Sequence, residues 1–454
     1  METKLREKIL YSFGDVGCSF IWTFTSSFLV LYYTDSVQVS AAFVGTMMLV
    51  TRTLDGGSDI LMGIVIEKTN TRFGKARPWV LFGCVPFALA LILAFNVPSG
   101  IDTNLKSLYI YATYIFMTVV CYTAVNLAYN AMLPRITFVQ HERAVISTYR
   151  VILTLIMALA ISFATPPLLA ALGGTGTQGP WSSVSGIYAV LAVVFLLLCF
   201  FGSKEKVPLE KTDGSVKQKT PIMKTFGKLF RIRYFYISVI LTIVMAFFNG
   251  VIGGYIYYAR DVLRNEGLFG VMSACTMLPI LLCAPFTPAL FRKVGKRNAI
   301  QIGMMLGIAG SIMQLLSPYN VIVVIIGMSL RAVGLAPIMT ASSTLTGDIV
   351  DYMQWKTSIR AEGIVSSISS FGAKIGTGLG SAILGWFLAM GGYNGALTTQ
   401  TQSAINAEIA VVGGIPLVLC IITFAGMWFW DIDRYRPEID TFLNKANRVQ
   451  EKNP

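Results

Sequence analysis

Long apolar stretches, separated by short polar segments, follow one another along almost the whole chain. A helix of about 20 apolar residues is long enough to cross the hydrocarbon core of a bilayer. The period-2 alternation that is typical of membrane β-strands is not seen in the sequence. A helical bundle is then the remaining way to satisfy the hydrogen bonds of the backbone in lipid. The pattern predicts an all-α integral membrane protein with twelve spans, near residues 11–33, 40–66, 79–98, 107–131, 144–171, 185–203, 234–258, 267–291, 299–316, 320–345, 362–390 and 407–430.

The longest polar stretch lies near the middle of the chain and separates six predicted spans from six more. Short basic loops that contain glycine follow the second and the eighth span, "EKTNTRFGKARPW" and "RKVGKRNA". Such similarity between two loops is expected when a six-helix unit has been duplicated. It indicates two bundles that rock around a midplane site. The predicted parts are a first bundle at 1–203, a cytoplasmic linker at 204–233, a second bundle at 234–430 and a cytoplasmic tail at 431–454.

Composition and charge agree with lipid as the solvent. Of the 454 residues, 54% are hydrophobic and 13% are charged, with a mean hydropathy of +0.65, whereas about a quarter of a soluble protein is charged. The net charge of +13 could indicate nucleic acid, but Lys and Arg gather in alternate loops. By the positive-inside rule both termini are cytoplasmic. We therefore expect a multi-pass protein of the cell inner (plasma) membrane, in contact with lipid and not with nucleic acid.

The stretch "TRTLDGGSDILMG" puts three charges inside the second predicted span. Arg52, Asp55 and Asp59 are spaced i, i+3, i+7 and so share one helix face. Intramembrane charges cost at least ~2.5 kcal/mol each and usually face a cavity or one another. Two carboxylates one turn apart repel when both are ionised, so a proton or a metal cation relieves them. This predicts a coupling-ion site; a purely structural Arg52–Asp55 pair is the alternative.

Two more cations lie at membrane depth, Arg150 in "STYRVILTLIM" and Lys374 in "SSFGAKIGTGLGSAILG". Either could balance the carboxylates of the second span, hold an anionic substrate, or do each in turn. Snorkelling of the long side chain to an interface is the alternative.

Polar stripes that include an aromatic residue run along the first and fourth spans. Their donors and acceptors suit hydroxyl-rich ligands, and an aromatic ring beside them suits the C–H face of a sugar. Each stripe alone could equally serve hydrogen bonding between helices. The stripes are Asp15, Ser19 and Trp22 in "GDVGCSFIW", and Tyr122, Asn126 and Asn130 in "YTAVNLAYNAMLP".

Four segments carry a family resemblance: "YSFGDVG", "RTLDGGSDILMGIVIEKTNTRFGKARPW", "CYTAVNLAYNAMLP" and "GDIVDYMQWKTSIRAEG". In order and spacing they resemble the glycoside–pentoside–hexuronide:cation symporter family of the major facilitator superfamily, to which melibiose permease belongs. The resemblance runs from residue 8 to 435. It implies two six-helix bundles and inward uptake of a sugar or glycoside by alternating access, driven by a Na⁺ or H⁺ gradient.

Residue by residue, the resemblance implies a cation site at Asp55 and Asp59, with Thr123 as a further oxygen and Ser58 beside them. Arg52 would balance their charge. Melibiose permease has asparagine where this chain has Ser58. This change weakens the case for Na⁺, so we expect H⁺ as the coupling ion, with Na⁺ second, and no cofactor or other metal.

The sugar site implied by the resemblance departs from the melibiose permease pattern. Arg150 and Lys374 are kept, but Ser19 and Asn126 replace two aspartates and Asn130 replaces a tryptophan. The pocket should therefore be more positive and should favour an anionic sugar, such as a hexuronide, a glucuronide or a sulfonated sugar. "VNLAY" is also similar to a motif of glucuronide carriers. A neutral glycoside or pentoside is the alternative. The predicted substrate-binding residues are Ser19, Trp22, Tyr122, Asn126, Asn130, Arg150, Lys374 and Ser370.

Cytoplasmic ion pairs are predicted between the "RFGKARPW" loop and the polar segment after the tenth span, and they would stabilise the outward-facing state. A cation binds first, relaxing the competition for Lys374 and Arg150, and the sugar follows. Nothing in the sequence demands more than a monomer. The predicted gating residues are Arg72, Lys75, Arg77, Asp351, Arg360 and Glu362.

Three other functions compete with sugar symport. A polytopic enzyme is not expected, because His141 has no catalytic partner in view and no nucleophile or phosphate-loop motif is present. A channel would need a repeated filter or a ring of like charges. A transporter of lysolipids would need an apolar slot for an acyl chain, which the sequence leaves open.

Overall fold

The computed structural model describes residues 5–137, 139–203, 229–230, 232–357, 362–397, 399–439 and 441–442. Within these ranges the protein is helical and contains no β-strand; an isolated bridge joins Thr71 and Gly74. The predicted all-helical fold is confirmed for this part of the chain, and a helix overlaps each of the predicted spans.

The helices before the central linker are α1 (Leu5–Leu31), α2 (Ala41–Lys68), α3 (Arg77–Ala94), α4 (Thr103–Ile115), α5 (Thr123–Ile136), α6 (Gln140–Leu172) and α7 (Gln178–Gly202). Those after it are α8 (Arg233–Val251), α9 (Gly254–Tyr257), α10 (Leu268–Cys283), α11 (Thr287–Val294), α12 (Lys296–Leu316), α13 (Val321–Thr357), α14 (Glu362–Met390), α15 (Gln402–Ile409) and α16 (Ile415–Trp428).

Short π-helical turns interrupt or extend several of these helices. A π turn widens the helix by one residue, changes the face on which the following side chains lie, and is frequent at functional sites. The turns are Tyr32–Ser36 after α1, Phe116–Tyr122 between α4 and α5, Tyr258–Val262 after α9, and Ala410–Gly414 between α15 and α16.

Eleven helical segments of the described chain are long and apolar enough to cross a membrane. Helix α2 is not among them, although it has 28 residues. Its length suffices for a span, but Arg52, Asp55 and Asp59 lower its hydropathy. The same charges that predict a site in α2 therefore remove it from a count based on apolar character.

Contacts divide the chain into two compact units. The first consists of Met1–Ser215, Gly250–Ser273 and Ser381–Glu408, and the second of Val216–Asn249, Ala274–Gly380 and Ile409–Pro454. The first unit thus includes two segments from beyond the central linker. The division into six-helix halves at residues 203 and 234 stays a prediction.

Helix α1 lies at the centre of the first unit, where it packs on α6 and α7. Aromatic rings pack between α1, α7 and the end of α3: Phe24 stacks on Phe95 with centroids 4.4 Å apart, and Trp181 and Tyr188 pack around it. All four side chains are buried. This aromatic core holds α1 in a fixed position, and α1 carries the residues of the first polar stripe.

In the second unit, α12 and α13 touch backbone to backbone at two pairs of glycines. A Cβ atom added to Gly303 would lie 2.4 Å from the carbonyl oxygen of Gly334, and one added to Gly310 would lie 2.3 Å from that of Gly327. Small residues allow such close approach of membrane helices. The two helices therefore have no room for any side chain at these points.

We predict that Gly310→Ala destabilises the protein by about 1–3 kcal/mol, because the new methyl group overpacks the α12–α13 contact. Gly347→Ala in α13 is the matched control, since its Cβ would meet nothing within 4 Å. Thermal unfolding in detergent should show a lower midpoint for Gly310→Ala and an unchanged or slightly higher one for Gly347→Ala. Equal midpoints for the two variants would contradict the close contact.

Candidate functional site

A cavity of about 320 Å³ opens in the first unit between α1, α5 and α6. Its volume is that of a small-molecule site. Of the predicted substrate residues, the structure brings Ser19, Trp22, Tyr122 and Asn126 to its wall. Among the described residues, the lining is Asp15, Cys18, Ser19, Trp22, Tyr122, Asn126, Val151, Thr154 and Leu155.

Two aromatic rings form a platform on one side of this cavity. Trp22 and Tyr122 stack with their ring centroids 4.6 Å apart and an interplanar angle of 27°. Tyr122 is the last residue of the π turn between α4 and α5, and this turn directs it toward α1. Both residues are half-buried, so their remaining surface is open to a ligand.

Arg150 lies beside the cavity in a chain of polar contacts. Its Nε donates to Asp15 Oδ2 at 2.7 Å and its Nη2 donates to Asn130 Oδ1 at 2.7 Å. The Asn130 amide in turn donates to Asn126 Oδ1 at 2.9 Å, and the guanidinium lies 4.6 Å from the Tyr129 ring centroid. Arg150 is thus already paired with one carboxylate, and the pocket is less positive than the sequence suggests.

Two polar residues of the cavity were not among the predicted contacts. Asp15 is on the first-span stripe, four residues before Ser19, but it was not assigned to the ligand. Thr154 lies one turn after Arg150, and its buried hydroxyl has no hydrogen-bond partner among the described residues. Asp15 is four residues from Ser19 and Thr154 is four residues from Arg150, so each lies on the same helix face as a predicted ligand residue. This spacing could have identified both as cavity residues.

A second polar cluster surrounds Asp55, whose side chain is 2% exposed. Thr123 donates to Asp55 Oδ1 at 2.8 Å, and Arg52 Nη1 lies 3.8 Å from Oδ2. The Ser58 hydroxyl donates to the main-chain oxygen of Asp55 at 2.9 Å and is 3.3 Å from Thr123 Oγ1. The structure therefore gathers one carboxylate and two hydroxyls at the point where a cation was predicted.

Arg52 joins this cluster to the aromatic platform. Its guanidinium carbon lies 4.0 Å from the ring centroid of Trp22, and its Nη2 donates to the Tyr114 hydroxyl at 3.4 Å. The 3.8 Å separation from Asp55 is too long for a hydrogen bond. Arg52 is therefore a loosely held counter-charge that touches both clusters.

The remaining predicted ligand residues are placed as follows. Asp59 is half-buried on α2 in the first unit. Lys374 is half-buried and Ser370 is exposed, both on α14 in the second unit. The predicted balance between Lys374 and the carboxylates of α2 stays a prediction.

The basic residues of the loop after α2 contact their own unit. Arg77 Nη2 donates to the main-chain oxygen of Phe200 at 2.8 Å, and Lys75 Nζ donates to that of Glu67 at 3.4 Å. Arg72 is exposed.

On α13, Asp351 pairs with Arg436 at 3.4 Å within the second unit. Arg360 lies outside the described residues, as does the side chain of Glu362, with which α14 begins. The predicted cytoplasmic ion pairs between the two halves stay a prediction.

The family of proteins described as MFS/sugar transport protein matches residues 10–434. The chain belongs to this family. It is a transporter and not an enzyme, and it is a multi-pass protein of the inner membrane.

Curated relatives narrow the kind of transporter. This family member is 32% identical over 437 residues to the isoprimeverose transporter of Lactiplantibacillus pentosus, covering 95% of this chain and 90% of that protein. It is 28% identical to the glucuronide carrier protein homolog of Escherichia coli K12, covering 97% of this chain and 96% of that protein. It is therefore a member of the glycoside–pentoside–hexuronide:cation symporter family and a cation-coupled sugar symporter.

Solved structures support the fold. The nucleoside transporter NupG has a TM-score of 0.66 at 15% identity, covering 94% of this chain and 100% of that chain. At this identity the likeness shows the major facilitator fold alone.

The Asp15–Arg150 pair gives a prediction for stability. Asp15→Asn and Arg150→Gln should each destabilise the symporter, because each leaves the partner charge uncompensated in a mostly buried place. The double variant should lose less than the sum of the two, with a coupling energy of about 1–3 kcal/mol. Thermal or denaturant unfolding of the four proteins measures this coupling, and strictly additive losses would show that the two side chains do not interact.

Proposed function

We propose that this symporter imports a sugar or glycoside that carries an acidic group, such as a hexuronide, a glucuronide or a sulfonated sugar. The observation that carries the proposal is the Arg150 guanidinium beside the cavity. Asp15 and Asn130 hold its Nε and Nη2, while its Nη1 donates no hydrogen bond to a described residue. An acidic group could accept from Nη1, and arginine recognises such groups well. The relative named as a glucuronide carrier protein homolog supports this substrate class.

A neutral glycoside or pentoside is the second candidate, and a specific contact favours it. Asp15 already neutralises Arg150, so an acidic sugar would have to share the guanidinium with a fixed carboxylate. The relative named as an isoprimeverose transporter, at 32% identity, supports a sugar of this second class.

In either case we place the sugar ring in the cavity, against the parts of Trp22 and Tyr122 that their mutual stacking and Arg52 leave exposed. Its hydroxyls would meet Asn126, Ser19 and the Thr154 hydroxyl, which lacks a partner among the described residues. Such a site combines an apolar face with a few directed polar groups, as sugar and other small-molecule sites do.

For the coupling ion we propose a site made by Asp55, Asp59, Thr123 and Ser58, with H⁺ first and Na⁺ second. Ser58 uses its proton on the main chain of Asp55, and the contacts that surround Asp55 Oδ1 include one short bond, from Thr123. Ser58 stands where melibiose permease has an asparagine, and this change, which weakens the case for Na⁺, supports H⁺.

We further propose that Arg52 couples the two sites. A cation that binds Asp55 removes the attraction for Arg52, whose other firm contact is the face of Trp22. The guanidinium would then settle on the platform ring and fix it for the sugar. Cation binding thus precedes and promotes sugar binding, and the loaded protein changes access by rocking of its bundles.

A substrate panel tests the acidic-sugar proposal. Arg150→Lys keeps the charge but loses the guanidinium fork. Binding of a glucuronide should weaken by about 10–100-fold, as expected for loss of a hydrogen bond to a charged group. The matched neutral glycoside should weaken far less. Competition of both compounds against labelled substrate, on the parent and the variant, measures this; equal losses would favour the neutral candidate.

Asp55→Asn tests the coupling of sugar transport to the cation. The asparagine side chain carries no charge, so neither H⁺ nor Na⁺ can neutralise it. This variant should lose gradient-driven accumulation but keep downhill exchange of labelled sugar. Glu67→Gln, an exposed carboxylate on the same helix, is the control and should accumulate normally. A sodium titration at fixed pH on the parent protein decides the ion: strict dependence on Na⁺ would reverse our order, and full accumulation by Asp55→Asn would refute the site.

A further inference from the structure

A second buried ionic cluster lies in the first unit, at the end of α1 opposite its N-terminus. Arg260 Nη1 is 2.5 Å from Asp35 Oδ2, and its Nε and Nη2 each donate at 3.0 Å to the two carboxylate oxygens of Asp261. Tyr393 donates to Asp35 Oδ1 at 2.8 Å and also contacts Arg260. One cation therefore already serves two carboxylates.

Three members of this cluster lie in irregular helix. Asp35 is in the π turn Tyr32–Ser36, and Arg260 and Asp261 are in the π turn Tyr258–Val262. The π turn Ala410–Gly414 begins shortly after Glu408. Because π turns cost regular hydrogen bonds and concentrate at functional sites, their gathering here is a second sign that the cluster has a role.

Glu408 is the unusual member of the cluster. Its side chain is on the last turn of α15, 1% exposed, and neither carboxylate oxygen has a hydrogen-bond partner among the described residues. It lies near enough to Asp261, itself buried, for the two carboxyl groups to interact. An ionised Glu408 would be a third negative charge beside one guanidinium, without a donor. Two buried carboxyl groups in contact share a proton instead.

Other titratable groups face the same place. Burial raises the pKa of Tyr393 far above its usual value, so this phenol remains a donor to Asp35. Burial also raises the pKa of Glu266, while Arg260 lowers it. Tyr257 is fully buried and bonds Thr34 at 2.9 Å. Glu266 is half-buried, so it is the group whose titration has to be separated from that of Glu408.

We propose that Glu408 and Asp261 form a proton-binding site that is separate from the carboxylates of α2. Glu408 carries the proton and donates a hydrogen bond to the Asp261 carboxylate, which leaves Arg260 to join Asp261 and Asp35. When the proton leaves, the Glu408 carboxylate repels Asp261 and competes with Asp35 for Arg260. The tie between the end of α1 and the Tyr258–Val262 turn then weakens.

The pH dependence of stability tests this site without any transport. A carboxyl that is protonated when folded and ionised when unfolded makes unfolding more favourable as pH rises above the ordinary value for glutamate. Each pH unit should then shift the unfolding equilibrium by about tenfold more in the parent than in Glu408→Gln. Glu408→Gln keeps a hydrogen-bond donor to Asp261 and cannot ionise. Thermal melts from mildly acidic to alkaline pH measure the two slopes.

Glu266→Gln is the matched control: it removes only the share of the slope that comes from Glu266, whose pKa burial raises, so it should keep a steeper slope than Glu408→Gln. Equal slopes for the parent and Glu408→Gln, or a flattened slope in Glu266→Gln alone, would overturn the proposal. Infrared spectroscopy gives a second readout should Glu408→Gln fail to fold: the parent should show the carbonyl band of a buried protonated carboxyl, and Glu408→Asp should shift it. A parent protein without such a band would also overturn the proposal.

Discussion

The arrangement of the first unit follows from the cost of a charge that is kept away from water. Three arginines of this unit each contact both a carboxylate and the face of an aromatic ring. Arg52 lies 4.0 Å from the Trp22 ring centroid and 3.8 Å from Asp55. Arg150 lies 4.6 Å from the Tyr129 ring centroid and 2.7 Å from Asp15. Arg260 lies 5.8 Å from the Tyr257 ring centroid and 2.5 Å from Asp35. The ring supports the guanidinium and the carboxylate neutralises it. What differs among the three is how firmly the carboxylate is held.

That difference separates their roles. The Arg150 and Arg260 pairs are close and directed, and they fix the positions of their helices. The Arg52–Asp55 pair is open by about an ångström beyond a hydrogen bond, whereas Thr123 donates a short hydrogen bond to Asp55. A site that must exchange one cation for another benefits from a nearby counter-charge that is held as loosely as Arg52. The loose pair is also the one next to the Trp22–Tyr122 platform, where the ligand cavity begins.

Much of the fold and part of the site could be predicted from the sequence, because both depend on local spacing. The apolar stretches predicted the helices, and the i, i+3 spacing of Arg52 and Asp55 predicted their contact. The helix α13 continues to Thr357, beyond the predicted limit at residue 345, since polar side chains can extend a helix that hydropathy no longer detects. Asp15 and Arg150 are 135 residues apart, and no local pattern joins them. Glu408 likewise acquires its surroundings only from the packing of distant segments.

The glycine contacts between α12 and α13 have a mechanical consequence. Gly303 meets Gly334 and Gly310 meets Gly327, so two points of direct backbone contact, about 10 Å apart along each helix, join the pair. One such contact would act as a pivot, about which the helices could swing. Two of them fix both the crossing angle and the register. Neither helix can slide or turn without the other. In any movement of this region, α12 and α13 must therefore move together as one rigid body.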